Sequence, residues 1–273
     1  MKKSLAVIGV GNMASAIIGG ILNSKELGVG GGDITLFDRF PAQYERLGDI
    51  GARVASSASE AVSAADYILL SVKPQNIGEV LSELRELSLD GKTFISICAG
   101  ISTDIICDKL GRRVPVVRVM PNTPLQIGLG VSALARNELV SDEDFEFACR
   151  IFGAAGMVMR LDESQMNTVI CVNGSSPAYF YYFIDAMVKS AKAQGLECDN
   201  LVEAVCRTVI GSAEMLMRSG KTPEELIRAV TSPKGTTERA MNVLFEADVA
   251  DTIDRAMRAC TDRAVEMARE AAK

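Results

Sequence analysis

The stretch Gly9-Val10-Gly11-Asn12-Met13-Ala14 follows the apolar run Leu5–Val10 and opens a segment with helical spacing, Met13–Ser24. Its G-x-G-x-x-A pattern is typical of the turn between the first strand and first helix of a dinucleotide-binding βαβ unit. Gly9 permits the tight turn, and Gly11 lets a pyrophosphate approach the backbone. Ala14 allows close packing of helix on strand, and the helix N-terminus attracts phosphates. The stretch therefore predicts a dinucleotide site.

Short apolar runs and helical segments alternate beyond this turn. The further runs, rich in Val, Ile and Leu, are Ile34–Phe37, Tyr67–Val72, Thr93–Cys98 and Val114–Val119. Helical spacing recurs between them in Ala58–Ala64, Ile77–Leu87 and Thr103–Leu110. Apolar strands buried on both faces and separated by helices predict a doubly wound, Rossmann-type parallel sheet.

The pattern changes near residue 160. From Asp162 onward no strand run is evident, and helical spacing continues in Pro177–Gln194, Asn200–Arg218, Pro223–Val230 and Asp248–Ala272. With 273 residues, the chain has room for two domains. We expect an α/β dinucleotide-binding domain at 1–160 and an all-helical domain at 161–273.

Composition excludes several classes of function. The net charge is −6 and no long basic run is present, which disfavours nucleic-acid binding. The chain has no His, so His-ligated zinc, Ser-His and Cys-His pairs and imidazole acid–base chemistry are excluded. We expect no metal site.

The cysteines and the N-terminus indicate a cytoplasmic protein. The seven Cys are odd in number and include no C-x-x-C pair, which argues against a disulfide scaffold. The first apolar run is too short for a signal peptide, and no run reaches the ~18 residues of a membrane helix. We therefore expect no membrane partner.

The end of the second predicted strand bears on the choice of cofactor. An acid at this position, here Asp38, usually binds the adenosine ribose hydroxyls and favours NAD. An adjacent Arg, here Arg39, can instead hold the 2′-phosphate of NADP. The two residues favour opposite cofactors, so both NADPH and NADH stay open.

Three more predicted strand ends belong to the same edge of the sheet, where ligands bind in open α/β folds. They are Ser71-Val72-Lys73-Pro74, Cys98-Ala99-Gly100 and Met120-Pro121-Asn122-Thr123-Pro124. Small residues leave room for ribose and nicotinamide, and the two prolines hold Asn122 in one direction.

Two segments of the helical half combine small polar residues with the start of a helix. Asn173-Gly174-Ser175-Ser176-Pro177 precedes one helix, and capping by Ser175 or Ser176 alone would also explain it. Thr231-Ser232-Pro233-Lys234-Gly235-Thr236-Thr237-Glu238 opens another with free N–H groups suited to a carboxylate or phosphate. A double cap is the structural alternative for this second segment.

These motifs together resemble the pyrroline-5-carboxylate reductase family, essentially from end to end. The matching stretches are Ile8–Met13, Val72-Lys73-Pro74-Gln75, Val119–Pro124, Gly174–Tyr179 and, most specifically, Thr231–Thr237. The resemblance implies a Rossmann domain and a helical domain that interlocks with a second subunit, giving a homodimer or a higher homo-oligomer such as a decamer. It also implies reduction of pyrroline-5-carboxylate to L-proline, the last step of proline synthesis, with NADPH or NADH.

The resemblance also assigns residues. By it, the backbone N–H groups of Gly235, Thr236 and Thr237 bind the substrate carboxylate in a loop with Ser232, and the Thr237 hydroxyl faces the ring nitrogen. Glu163 matches a family carboxylate near substrate and cofactor, and Ser175 is placed at the substrate. The expected cofactor residues are Ile8, Gly9, Val10, Gly11, Asn12, Met13, Asp38, Arg39, Ser71, Val72, Lys73, Pro74, Cys98, Ala99, Gly100 and Asn122.

Four positions depart from the family pattern. Asn173-Gly174-Ser175-Ser176-Pro177 replaces the usual Ser-Gly-Ser-Gly-Pro, and Lys234 stands where many members have Gly. Ser176 and Lys234 could alter the geometry of the substrate loop. Asp38 stands where many NADPH-using members lack an acid.

The absence of His fits reduction of an imine. A cyclic imine can arrive already protonated as an iminium. Hydride transfer to it therefore needs no proton donor, whereas hydride transfer to a ketone does.

Two other interpretations of the function stay open. A β-hydroxyacid dehydrogenase-like enzyme would use a Lys in the first long helix of the second domain, where Lys189 and Lys192 lie. A regulatory paralogue would bind NAD(P)H without turnover.

Overall fold

The computed structural model describes residues 3–271, apart from the side chain of Arg46. It contains two compact units. The sheet unit comprises the chain up to Ser175 together with the segment from Cys260 onward, and the helical unit is Ser176–Ala259.

The sheet unit is built on eight strands. They are β1 (Leu5–Ile8), β2 (Ile34–Phe37), β3 (Arg53–Val54), β4 (Tyr67–Leu70), β5 (Thr93–Ser96), β6 (Val116–Met120), β7 (Gly130–Arg136) and β8 (Gly156–Arg160). Their order is β3-β2-β1-β4-β5-β6-β7-β8. All neighbours are parallel except β6 and β7, which are antiparallel. The predicted doubly wound sheet is confirmed, and its last two strands, β7 and β8, run opposite to the other six.

Helices cover both faces of this sheet. They are α1 (Asn12–Asn23), α2 (Ala58–Ser63), α3 (Ile77–Leu84), α4 (Thr103–Leu110) and α5 (Asp142–Gly153). The apolar face of α1, with Ile17, Ile18 and Ile21 fully buried, packs in the cluster on one side of the sheet. A second cluster on the other side includes Leu81 of α3 and Ile106 of α4. Burial on both faces explains the continuous apolar strands.

Four elements lie outside the predicted set, namely β3, α5, β7 and β8. Strand β7 reads Gly-Val-Ser-Ala-Leu-Ala-Arg and lacks the Val and Ile run of a central strand. Helix α5 begins with three acids after the N-cap Ser141, whose hydroxyl accepts the Asp144 N–H. These elements depend on tertiary pairing and capping more than on apolar periodicity.

The remaining helices are α6 (Ser176–Ala193), α7 (Leu201–Ser219), α8 (Pro223–Val230), α9 (Thr236–Glu246) and α10 (Val249–Ala271), which passes into the sheet unit at Cys260. The core of the helical unit is small. Its buried cluster contains Val188, Leu201 and Val205. Large apolar side chains elsewhere on α6, α7 and α9 are exposed, for example Tyr182 at 72% and Phe245 at 66%.

The boundary between the two compact units lies between Ser175 and Ser176, later in the chain than the domain boundary predicted at 160/161. Met166 and Val169 are buried against Ala133 and Ala135 of β7, so this segment belongs to the sheet unit. At the C-terminal end of α10, Ala271 packs against the second cluster of the sheet. Among the helices of residues 3–271, none is long and apolar enough to cross a membrane.

Candidate active site

The glycine turn after β1 has the geometry that its sequence predicts. Gly9 has a φ of +91°, and a Cβ built there would lie 2.6 Å from the Ser71 carbonyl oxygen. Only glycine fits such a conformation at such a contact. The Gly9 N–H donates to Phe37 O at 2.8 Å, and the Ser71 N–H donates to Ile8 O at 2.9 Å. The ends of β1, β2 and β4 therefore meet at this turn.

The N-terminus of α1 fits a phosphate group. Gly11 is the N-cap and offers no side-chain cap, and no acid lies in the first turn. A Cβ built on Gly11 would find no atom within 4 Å, so the backbone faces open space. Exposed N–H groups and the positive end of the helix dipole suit the pyrophosphate of a dinucleotide. The residues present fit the cofactor predicted from the sequence.

Asp38 links the end of β2 to the glycine turn that follows β1. Its Oδ2 accepts the Val10 N–H at 2.7 Å, and its Oδ1 accepts the Phe40 N–H at 2.9 Å. The Tyr44 hydroxyl accepts the Asp38 N–H at 2.6 Å and donates to the Asp38 carbonyl at 2.9 Å. Burial raises the pKa of Tyr44, so its hydroxyl stays protonated. Asp38 is thus fixed from four directions.

The neighbouring Arg39 lies at the surface. Its Nη1 donates to Oε2 of Glu79, in the first turn of α3, at 2.8 Å. The side chains of Arg39 and Glu79 are 46% and 66% exposed. The hydrogen bond from Arg39, followed by its charge, lowers the pKa of Glu79. The pair connects the end of β2 with the helix that follows β4.

The ends of β4 and β5 are joined through a buried thiol. The Cys98 Sγ donates to the Val72 carbonyl at 3.3 Å. Burial raises the pKa of Cys98 to about 11, so the thiol stays protonated. Gly100 has a φ of +74°, and a Cβ there would lie 3.2 Å from Cβ of Met267 in α10. Lys73 is exposed and precedes the 3-10 turn Pro74–Asn76.

Two buried asparagines hold the backbone of one residue, Val131, at the start of β7. The Asn122 Oδ1 accepts the Val131 N–H at 2.8 Å. The Asn173 Nδ2 donates to the Val131 carbonyl at 3.1 Å and to the Met120 carbonyl at 2.7 Å. Asn173 thereby links the Asn173–Pro177 segment to the end of β6. Sequence reasoning identified Asn122 but noted Asn173 only as a departure from the family pattern.

Glu163 forms an ion pair within the sheet unit. Its Oε1 accepts from Arg118 Nη1 at 3.0 Å and from the Thr103 N–H at 3.3 Å. Its Oε2 is buried without a partner among the described residues. Arg118 is not among the site residues predicted from the sequence. A charged residue inside an apolar strand is nevertheless a signal that a buried partner exists.

Ser175 lies at the last residue before α6. Its N–H donates to the Ile170 carbonyl at 2.8 Å, and its Oγ lies 3.1 Å from the Cys260 Sγ. Gly174 packs closely on Met120, since a Cβ on Gly174 would come within 2.6 Å of the Met120 Cε. This segment is therefore packed against the end of β6.

In the helical unit, the segment Thr231–Thr237 forms a tight turn that opens α9. The Gly235 N–H donates to the Ser232 carbonyl at 2.9 Å, and the Lys234 N–H donates to Glu238 Oε2 at 2.8 Å. Gly235 is the N-cap of α9 and supplies no side-chain cap. Thr236 is exposed and Thr237 is half-buried. The first turn of α9 therefore presents N–H groups beside two hydroxyls. The double cap, which is the structural alternative for this segment, is not formed at this N-cap.

Lys234 adopts a φ of +63°, the left-handed region that favours glycine. The turn therefore keeps a glycine-type backbone with a lysine in place.

The structure brings the predicted cofactor residues together along one edge of the sheet unit. The predicted substrate residues Glu163 and Ser175 lie in this unit as well, and Ser232, Gly235, Thr236 and Thr237 lie in the helical unit. Their roles toward cofactor and substrate stay predictions. Within residues 3–271 no cluster of Cys, Asp and Glu could hold a metal ion. Lys189 forms an exposed ion pair with Asp185 at 2.6 Å.

Comparison with known proteins agrees with this architecture. A family model described as pyrroline-5-carboxylate reductase dimerisation matches residues 163–267. A second, described as NADP oxidoreductase coenzyme F420-dependent, matches residues 4–100. The chain is 37% identical to the pyrroline-5-carboxylate reductase of Vibrio alginolyticus, over 97% of both chains.

Solved structures give the same result. The pyrroline-5-carboxylate reductase of Coxiella burnetii matches with a TM-score of 0.88 and 30% identity, over 98% of this chain and 99% of that one. The Plasmodium falciparum pyrroline carboxylate reductase with NADP bound has a TM-score of 0.88 at 27% identity, with the same coverage. Sequence and structure thus agree over nearly the whole length, and the chain belongs to the pyrroline-5-carboxylate reductase family.

Proposed function

We propose that this protein reduces the cyclic imine (S)-1-pyrroline-5-carboxylate to L-proline with NAD(P)H, as the last step of proline synthesis. The observation that carries the proposal is the tight turn Ser232–Thr237, which opens α9 with a glycine N-cap and places the half-buried Thr237 in its first turn. A helix N-terminus of this kind suits a carboxylate. The uncapped N-terminus of α1 supplies the equivalent group for the cofactor pyrophosphate.

The cofactor residues hold and orient the dinucleotide in this proposal. The Gly9–Met13 turn and the α1 N-terminus bind the pyrophosphate, and Asp38 and Arg39 face the adenosine end. Ala99 and Gly100, beyond β5, leave room for the nicotinamide end. When bound, NAD(P)H supplies a hydride to the imine carbon.

The substrate residues hold the ring. The N–H groups of Gly235, Thr236 and Thr237 bind the carboxylate, and the Thr237 hydroxyl accepts the iminium N–H. Glu163 lies in the sheet unit with its charge already shared with Arg118. The nitrogen keeps the iminium proton and takes another from water, so a chain without His needs no protein acid. Holding the reacting atoms ~3–3.5 Å apart then provides most of the catalysis.

The helical portion also serves assembly. Three buried apolar residues cannot stabilise a unit of this size, and its exposed aromatic side chains require a cover. The match to a dimerisation family model supports a second copy as that cover. We assign residues 1–160 to cofactor binding and 161–273 to substrate binding and dimerisation, within a homodimer or a larger assembly such as a decamer.

We also propose that the protein is cytoplasmic. All seven cysteines are free thiols, and four of them are buried. Free thiols of this number are typical of a reducing compartment.

The test is oxidation of NADH and NADPH by the purified protein with racemic pyrroline-5-carboxylate. Wild type is compared with Thr237→Ala and with Thr237→Ser, which keeps the hydroxyl. Loss of a hydrogen bond to a charged group predicts a fall in kcat/KM of about tenfold or more for Thr237→Ala. Thr237→Ser should recover most of it. Tight cofactor binding without turnover in wild type would overturn the proposal and favour a regulatory paralogue.

A further inference from the structure

The ion pair between Arg39 and Glu79 has a particular position in the sheet. Arg39 follows β2, and Glu79 lies in the helix that follows β4. Strand β1, with its glycine turn, lies between β2 and β4. The Arg39–Glu79 pair therefore spans the carboxyl edge of the sheet at the turn that fits the dinucleotide.

The side chain of Asp38 is held by more hydrogen bonds than that of Arg39. Both of its carboxylate oxygens already accept backbone N–H groups, from Val10 and Phe40, and its peptide is held by Tyr44. Asp38 thus has a fixed place beside the glycine turn. The adjustable group at the adenosine end is the Arg39 guanidinium, which is exposed and rests on one exposed carboxylate.

We propose that Glu79 sets the preference between NADPH and NADH by competing for Arg39 with the 2′-phosphate of NADPH. A guanidinium forms strong paired hydrogen bonds with a phosphate, and the 2′-phosphate carries nearly two negative charges. To bind it, Arg39 must leave Glu79, which then lies near a second anion. NADH has no such group, so the Arg39–Glu79 pair can stay intact. The inference rests on the proposed function only in that the site binds NAD(P)H.

The experiment measures binding by titration calorimetry, without substrate or turnover. The ligands are NADP⁺, NAD⁺ and adenosine 2′,5′-bisphosphate, which carries the adenosine end alone. Glu79→Gln should tighten NADP⁺ and the bisphosphate by about fivefold and leave NAD⁺ within about twofold, as expected for an exposed charge pair. Arg39→Gln should weaken the two 2′-phosphate ligands by about tenfold or more.

The double variant tests whether Glu79 acts through Arg39. In the Arg39→Gln background, Glu79→Gln should change NADP⁺ affinity by less than about twofold. The matched control is Glu138→Gln. Glu138 pairs with Arg113, and the exposure of this pair is comparable. Glu138 follows β7, which is antiparallel to β6, so it lies on the side of the amino ends of the parallel strands, away from the glycine turn. It removes the same charge and should leave all three affinities unchanged.

The inference is overturned if Glu79→Gln tightens the binding of NAD⁺ and NADP⁺ equally, or if it tightens the binding of neither. It is also overturned if the effect persists without Arg39, because Glu79 would then act only as a distant charge. Failure of the proposed function would look different. It would leave these affinities in place while wild type failed to reduce pyrroline-5-carboxylate.

Discussion

Arg118 donates a hydrogen bond to Glu163 at 3.0 Å from a guanidinium that is only 6% exposed. This contact fixes the segment after β8 on strand β6. Removing Glu163 would leave the buried Arg118 charge without its ionic partner.

Glu163→Gln should therefore lower the free energy of unfolding by about 1–2 kcal/mol, less than for a fully buried pair because Glu163 is partly exposed. Arg118→Met should do the same, and the double variant should lose less than the sum. Urea unfolding measures all three. Glu146→Gln, whose partner Arg160 is exposed, serves as the control and should cost under ~0.5 kcal/mol. Strictly additive losses would contradict the coupling.

The two glycines of the first turn should fail in different ways when changed to alanine. Gly9→Ala meets both a positive φ and the Ser71 carbonyl, so it should destabilise the protein by more than about 2 kcal/mol. Gly11→Ala meets no protein atom and should leave stability nearly unchanged. It should still weaken NADP⁺ binding at least tenfold, because its methyl group occupies the space of the phosphates. Thermal unfolding and calorimetry separate the two effects. Equal losses of stability would contradict this account.

Lys234 should tolerate glycine and reject a β-branched residue. Its φ of +63° is easily reached by Gly and poorly by Val. Lys234→Gly should leave the free energy of unfolding within about 1 kcal/mol of wild type, whereas Lys234→Val should lower it by about 1–2 kcal/mol. Urea unfolding of both variants decides the matter. A more stable Val variant would show that the turn has another backbone conformation.

Cys98 should resist alkylation in the folded protein. Its pKa near 11, raised by burial from 9.0, leaves little thiolate at pH 8. Iodoacetamide at pH 8, followed by peptide mass spectrometry, should label the exposed Cys198 and spare Cys98 until urea is added. The unfolded chain deprotonates first as pH rises. The contribution of Cys98 to stability is therefore complete below about pH 9 and is lost as pH rises through about 11. Rapid labelling of native Cys98 would contradict its burial.

The exposed aromatic residues of the helical unit should control assembly. Tyr182→Asp and Phe245→Asp each place a charge where a second copy is expected to pack, so either should reduce the mass measured by light scattering. Met157→Asp changes a comparably exposed residue on the edge strand β8 and should keep the wild-type mass. If all three variants keep that mass, these side chains do not form the interface.

The central sheet could be predicted because its strands carry their own signal. β1, β2, β4 and β5 are apolar on both faces, and each begins where the sequence predicts. β7 could not be predicted, since its small residues acquire strand structure only by pairing with β6 and β8. The cofactor edge was predictable for a similar reason, because the carboxyl ends of parallel strands converge.

The contacts between side chains could not be predicted from the sequence. Asp38 and Arg39 are neighbours with opposite implications for cofactor choice, and only the structure shows that one is fixed by Tyr44 while the other contacts Glu79. Arg118 and Asn173 likewise contact residues distant in sequence, at 163 and at 120 and 131. Such contacts have no periodicity from which they could be inferred.

The small core of the helical unit makes folding depend on subunit concentration. With Val188, Leu201 and Val205 as its buried cluster, this unit has a small apolar core of its own, and association of copies is expected to cover its exposed apolar side chains. Refolding should then include a second-order step, and the melting temperature should rise with protein concentration. The turn proposed to bind the substrate carboxylate belongs to this unit, so we expect the encounter between two chains to precede the first catalytic turnover.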